Sequence, residues 1–334
     1  MCILKYNKEK RQKNINNSLE EKTDQRKRAL EVIELIAVAA ICIIMYFHER
    51  ETVLPEDTEP LLKLGDKVLF GTYLDEPIEW RVVQLEENGA AVLLAEYILT
   101  MKAFSAPDSG CFNCDDDGNS YWSVSETEAD RDLALQAYVR GSSSWAQSDI
   151  RIWLNSDKEN VVYQGIGPVA RAMCANKNGY ASEAGFLAGF TVQEREAIIP
   201  TVHSTRGNAC DSGPVQSTDL VYLLSEEELS WLMEADVSLR TKPTALAAEQ
   251  DQTKWYKMFS LDYGIDEYYW WLRDPVPEKS SNCYYVSNGY SGKLLSEMEA
   301  GAEGVGIRPA VCVDTKKFAL PCVEASEGLD ERQE

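Results

Sequence analysis

Tyr268-Tyr269-Trp270-Trp271-Leu272-Arg273-Asp274-Pro275 opens the stretch that decides the fold, and Gly304-Val305-Gly306-Ile307-Arg308-Pro309-Ala310-Val311-Cys312-Val313 closes it. Between them lies Cys283-Tyr284-Tyr285-Val286-Ser287-Asn288-Gly289-Tyr290-Ser291-Gly292-Lys293. The pattern predicts three short strands. Tyr284-Tyr285-Val286 is aromatic and β-branched, and Ser287-Asn288-Gly289 is a turn that lets a residue take positive φ. Residues 310–313 alternate small and β-branched side chains, as a strand buried on both faces does. Four aromatics in a row are too many for a solvated loop, so this segment belongs to a core. Arg273 and Arg308 then need partners, because a buried guanidinium without carboxylates or carbonyls is costly.

Working outward, residues 67–73, 78–85 and 90–99 predict a three-stranded antiparallel meander, its second turn carrying the hairpin signal Asn88-Gly89. Residues 127–139 predict a short helix. Ser148 or Asp149 caps another that includes Ile152 and Trp153, and Thr191 with Glu194 forms a capping box for a third over 191–199. A strand follows at 221–224. Ser225 and Glu228 open a helix to about residue 235, and 245–258 predicts a further one.

The 334-residue chain is strongly acidic, with a formal net charge of −22. Its first 28 residues run the other way, with nine Lys/Arg against four Asp/Glu. So acidic a body repels phosphate, and nucleic acid is excluded as a partner. An apolar run, residues 35–47, follows the basic flank. Its thirteen residues span roughly 20 Å, short for a ~30 Å hydrocarbon core, and residues 30–33 extend it. Basic flank, apolar run and acidic body in that order predict a signal anchor at 29–48, with the N-terminus in the cytoplasm and the body outside the plasma membrane. A cleavable signal is the rival, but no small-x-small site follows the run. Residues 1–28 thus form a basic cytoplasmic segment, 49–63 a Pro-containing acidic stalk, 64–322 the extracellular domain and 323–334 an acidic tail.

The nine motifs Gly65-Asp66-Lys67-Val68, Phe70-Gly71-Thr72-Tyr73, Ile78-Glu79-Trp80-Arg81-Val82, Asp149-Ile150-Arg151-Ile152-Trp153-Leu154-Asn155, Gly185-Phe186-Leu187, Phe190-Thr191, Leu223-Leu224-Ser225-Glu226-Glu227-Glu228, Trp270-Trp271-Leu272-Arg273 and Gly306-Ile307-Arg308-Pro309-Ala310 stand in fixed order. That order resembles the domain-of-unknown-function family 6273 of exported bacterial proteins, over about residues 64–313. The late half is similar, more distantly, to the C-type-lectin-like fold shared with formylglycine-generating enzymes. There too a Trp-rich strand precedes a late Gly-(Phe/Ile/Val)-Arg strand. Together these imply an α+β fold: an N-terminal transmembrane helix, an antiparallel β-meander with helices, and a C-type-lectin-like C-terminal half. The likeness of fold carries no chemistry with it.

The side chains offer few catalysts. His48 and His203 are the only histidines, which excludes a three-histidine metal site. His203 is expected in an exposed polar loop. Seven cysteines face outward in this topology: Cys111, Cys114, Cys174, Cys210, Cys283, Cys312 and Cys322. Their pairing is open, and an odd number leaves at least one free or intermolecular. Asn113, Asp115, Asp117 and Asn119 place alternate oxygen ligands before and after Gly118, like the first half of a calcium loop, although Val124 stands where an EF-hand needs Glu. An ordinary solvated acidic loop is the competing reading. Tyr121, Trp122 and Trp145 lie in expected loops and, with Tyr290, are the candidate ligand contacts, since exposed rings stack on sugars and side chains. Arg273 and Arg308 are candidate clamps if they are not consumed in pairs with Asp262, Asp266 or Asp274. The leading expectation is non-catalytic recognition of an extracellular glycan or protein, with calcium as the one cofactor to test. The alternative is a cell-envelope or protein-modifying enzyme of formylglycine-generating type, which needs a thiolate of lowered pKa. A mere spacer domain is the third reading.

Overall fold

The computed structural model describes residues 62–107, 132–163, 180, 183–251, 254–290 and 292–323. The expected anchor at 29–48, the loop holding Asn113, Asp115, Asp117, Asn119, Tyr121 and Trp122, and the cysteines Cys111, Cys114 and Cys174 lie outside them. Among the described residues no helix is long and apolar enough to cross a membrane.

The fold is mixed α+β and dominated by sheet. In chain order the elements are β1 (Lys67–Tyr73), β2 (Glu76–Leu85), β3 (Ala90–Ala95), β4 (Thr100–Met101), α1 (Leu133–Arg140), α2 (Asp149–Leu154), α3 (Val192–Ala197), β5 (Thr201–Thr205), β6 (Val215–Asp219), β7 (Val221–Tyr222), α4 (Leu229–Glu234), α5 (Ala245–Gln250), α6 (Trp255–Tyr263), β8 (Trp270–Pro275), β9 (Asn282–Val286), β10 (Leu295–Glu299), β11 (Gly306–Ile307) and β12 (Ala310–Asp314). Single 3-10 turns stand at Trp145–Gln147 and Phe186–Gly189.

One five-stranded sheet runs β1-β2-β3-β12-β7, another β10-β9-β8-β11-β4, and β5 pairs with β6. The meander is antiparallel as expected. β12 is wholly apolar through Val313 because it lies between β3 and β7, paired with both. The chain passes between the two large sheets four times, and the two short direct crossings are at 96–99 between β3 and β4 and at Arg308-Pro309 between β11 and β12. Residues 268–313 thus supply five strands where three were expected. The two extra segments hide for different reasons: β11 is two residues long, and β10 is only partly buried, so it lacks a strong alternating pattern.

Burial explains the tryptophans. Trp80, Trp145, Trp153, Trp270 and Trp271 are all within 2% of complete burial. Each indole N–H donates to a protein acceptor: Phe70, Ala184, Leu239 and Lys102 carbonyls, and the Asp219 carboxylate for Trp145. The rings therefore add apolar burial, on the order of 2–3 kcal/mol each, without an orphaned donor.

Candidate functional site

The segment 245–258, expected as one helix, divides. α5 ends at Gln250, and Lys254 takes a left-handed φ of 61° before α6 begins. α6 reads Trp255-Tyr256-Lys257-Met258-Phe259-Ser260-Leu261-Asp262-Tyr263 and ends at Gly264, whose left-handed φ of 64° suits a glycine C-cap. At 100° per residue, Trp255, Tyr256, Phe259 and Tyr263 fall on one side. The rings of Tyr256 and Phe259 meet those of Tyr268 and Tyr269. Met258 and Leu261, one turn apart, fall outside that face and are 44% and 75% exposed. No residue of α6 is fully buried.

Tyr290 completes this surface. It follows the turn at Ser287-Asn288-Gly289, where Gly289 has a φ of 85° and a Cβ would collide with the Arg240 guanidinium at 2.4 Å. The turn is fixed by Asn288 Oδ1, which accepts from the Tyr290 amide, and by Ser287 Oγ, which accepts from the Gly289 amide. Tyr290 is 57% exposed, and its ring lies 4.8 Å from Tyr263 and 5.9 Å from Phe259. Lys254, Lys257, Asp262, Asp266, Glu267 and Lys293 flank the apolar positions in sequence, all exposed. The signal for this surface in the sequence is a short helix with apolar residues on two faces. The reading of 245–258 as a single helix in the wrong frame concealed it.

The other candidate contacts lie elsewhere. Trp145, expected in a loop open to ligand, is 2% exposed. Its 3-10 turn sets the indole against Phe104 and Asp219, so its ring is spent on packing. Arg273 is buried and grips Glu228 with both guanidinium nitrogens, and Nη1 also donates to the Leu223 carbonyl. Arg308 is 1% exposed and has no carboxylate contact among the described residues. It donates to the carbonyls of Ala95, Ser238 and Leu239, and its guanidinium lies 5.2 Å from the centre of the Trp270 ring. Burial lowers its pKa to about 9. Both arginines hold segments together, Arg308 at the crossover between sheets. The expected pairing with Asp262, Asp266 or Asp274 does not occur. Asp274 instead accepts from the Glu226 amide.

His203, expected in an exposed loop, lies in β5 and is buried, with its ring 4.2 Å from Tyr222. β5 turns His203 and Thr205 inward and Val202 outward, the reverse of what hydrophobicity suggests. Burial, with Arg273 nearby, lowers the imidazole pKa to about 4.

Cys210, Cys283, Cys312 and Cys322 are free thiols. Burial is the main cause raising all four, Cys312 to about 11 and Cys283 well above the usual thiol value. Among the described residues no group of His, Cys, Asp and Glu is placed to hold a metal ion.

A family described as Domain of unknown function (DUF6273) matches residues 88–315 of the chain. No curated protein matches it, and no solved structure does.

Proposed function

The chain belongs to the DUF6273 family, and from that premise we propose that it is a non-catalytic binder of an extracellular protein, with α6 and Tyr290 as its contact surface. The observation that carries this reading is the exposed apolar outer face of α6, Met258 and Leu261, beside the half-exposed rings of Tyr263 and Tyr290. Tyr and Met are enriched at protein interfaces, and contiguous exposed apolar groups with charges of both signs around them have the composition of such a surface. A sugar site asks for bare rings with polar neighbours, whereas here aliphatic side chains supply much of the apolar area.

The reading includes the anchor at 29–48, the plasma-membrane location with the body outside, and the C-type-lectin-like half. Glycan binding and the calcium loop at Asn113, Asp115, Asp117 and Asn119 enter as outcomes of the test. The formylglycine-type alternative is less well supported, because the thiols of Cys210, Cys283, Cys312 and Cys322 are all pushed away from the thiolate form.

The test is photo-crosslinking in cells expressing the full chain. A photoreactive residue replaces Leu261, with a second probe at exposed Val192 on α3 as control. One discrete protein adduct at 261, absent at 192 and lost in Tyr290→Ala, is the expected result. Equal adducts at both positions, or none at 261, overturn the proposal. Calcium-dependent glycan binding by the full chain that survives Tyr290→Ala moves the function to another surface.

A further inference from the structure

A cleft of about 520 Å³ opens between β2 and the segment 242–246, and none of its lining belongs to the α6 surface. Ile78 and Leu99, both at least 95% buried, face it from the core. Glu76 and Glu79 lie on the β2 wall and Lys242 on the other, with Tyr97 in the lining as well. The second wall is fixed: the Ile98 amide donates to the Lys242 carbonyl at 3.1 Å, and the Thr244 amide to the Ile98 carbonyl at 2.9 Å. The volume is in the range of small-ligand sites, and a cleft held by backbone bonds needs little ordering on binding.

Charges of opposite sign thus stand on opposite walls. Among the described residues neither Glu76 nor Lys242 has a partner of opposite charge, while Glu79 faces Lys67 at a loose 3.9 Å. Lys242 lies 6.0 Å from the centre of the Tyr97 ring, and Lys67 5.8 Å. A ring already engaged by two ammonium groups is a poor stacking platform for a sugar. It does suit a ligand whose own carboxylate joins Lys242.

We propose that this cleft binds a short peptide with both termini free, its ammonium group against Glu76 and Glu79 and its carboxylate against Lys242. An apolar side chain then covers Ile78 and Leu99. This site is independent of the α6 surface.

The test is titration calorimetry on the full chain with a panel of tripeptides carrying apolar, acidic or basic central residues. Each is compared with its N-acetylated and C-amidated forms. The expected result is binding of a free tripeptide, weakened about fivefold by either cap, the upper end for one partly exposed charge contact. Glu76→Gln with Glu79→Gln then removes the penalty for N-acetylation and keeps that for amidation. Lys242→Met does the reverse, and Tyr290→Ala changes neither. Circular dichroism melts confirm that the variants fold. Capped and free peptides binding equally, no tripeptide binding at millimolar concentration, or cap penalties that ignore these substitutions would each overturn the proposal.

Discussion

At His203 the chain buries an imidazole whose Nε2 has no hydrogen-bond partner among the described residues, beside the Arg273 guanidinium. Its pKa falls from 6.5 to about 4, so between those values the unfolded chain holds a proton that the folded chain lacks. Stability from this group is complete above pH 6.5 and is lost as pH falls toward 4, at up to about 1.4 kcal/mol per unit. Glu303 acts in the opposite sense. Burial raises its carboxyl from 4.5 to about 8, and its Oε2 lacks a partner among the described residues. Its contribution is complete below pH 4.5 and is lost as pH rises toward 8. The two slopes offset each other between about pH 4.5 and 6.5. Relative to the parent chain, His203→Gln is therefore expected to steepen the loss of stability on raising the pH through that window. Glu303→Gln makes stability rise with pH across it. Urea unfolding at half-unit pH steps measures both differences, and parallel profiles for parent and variants would refute the assignment. Nearby, Glu228→Gln leaves Arg273 buried against a neutral partner. It is expected to cost about 3–5 kcal/mol, more than the double change Arg273→Met with Glu228→Leu. A double-mutant cycle reads the coupling.

Glu194 ties one element to another. Its Oε2 accepts from the Thr191 amide to complete the capping box of α3, and its Oε1 accepts from the Gly71 amide in the bulge of β1. Gly71 has a φ of +67°, and a Cβ there would lie 2.3 Å from the Phe190 ring. Glu194→Ala removes both acceptors and is expected to cost about 2 kcal/mol, against about 1 for Thr191→Ala, which loses only the cap. Denaturant midpoints separate the two, and equal costs would mean that the link to β1 contributes nothing. This capping box was legible in the sequence, and so was the one joining Ser225 and Glu228, whose reciprocal bonds are both present. β1 was legible to its ends, because local pattern and burial agree there. The hairpin of β5 and β6 was not, because its inward residues His203, Thr205, Ser217 and Asp219 are polar and Val202 faces out. Only tertiary partners, such as Trp145 and Arg151 on Asp219, make that inversion tolerable. Of the candidate ligand contacts among the described residues, Tyr290 lies on the surface proposed here. Trp145, Arg273 and Arg308 were drawn inward by partners far away in sequence, which local spacing does not reveal.

The two large sheets share a core and exchange the chain at 96–99 and at Arg308-Pro309. At those two crossings strands adjacent in sequence, β3 with β4 and β11 with β12, belong to different sheets. Gly306 sits where they meet: a Cβ there would lie 2.8 Å from both the Tyr269 carbonyl oxygen and the Ile98 side chain. The Gly306 amide also donates to that Tyr269 carbonyl, so the contact cannot open without loss of a ladder bond. Ile98 in turn holds the wall of the cleft through its bonds with Lys242 and Thr244. Gly306→Ala is accordingly expected to destabilise the whole domain by about 1–3 kcal/mol, as overpacking in a filled core does. Native-state hydrogen exchange should then show β3 and β8 losing protection by the same amount, because each opens only when both sheets do. Loss confined to β8 and its neighbours would mean that the second sheet opens as a separate unit. The crossovers would then join two independently stable layers rather than weld one.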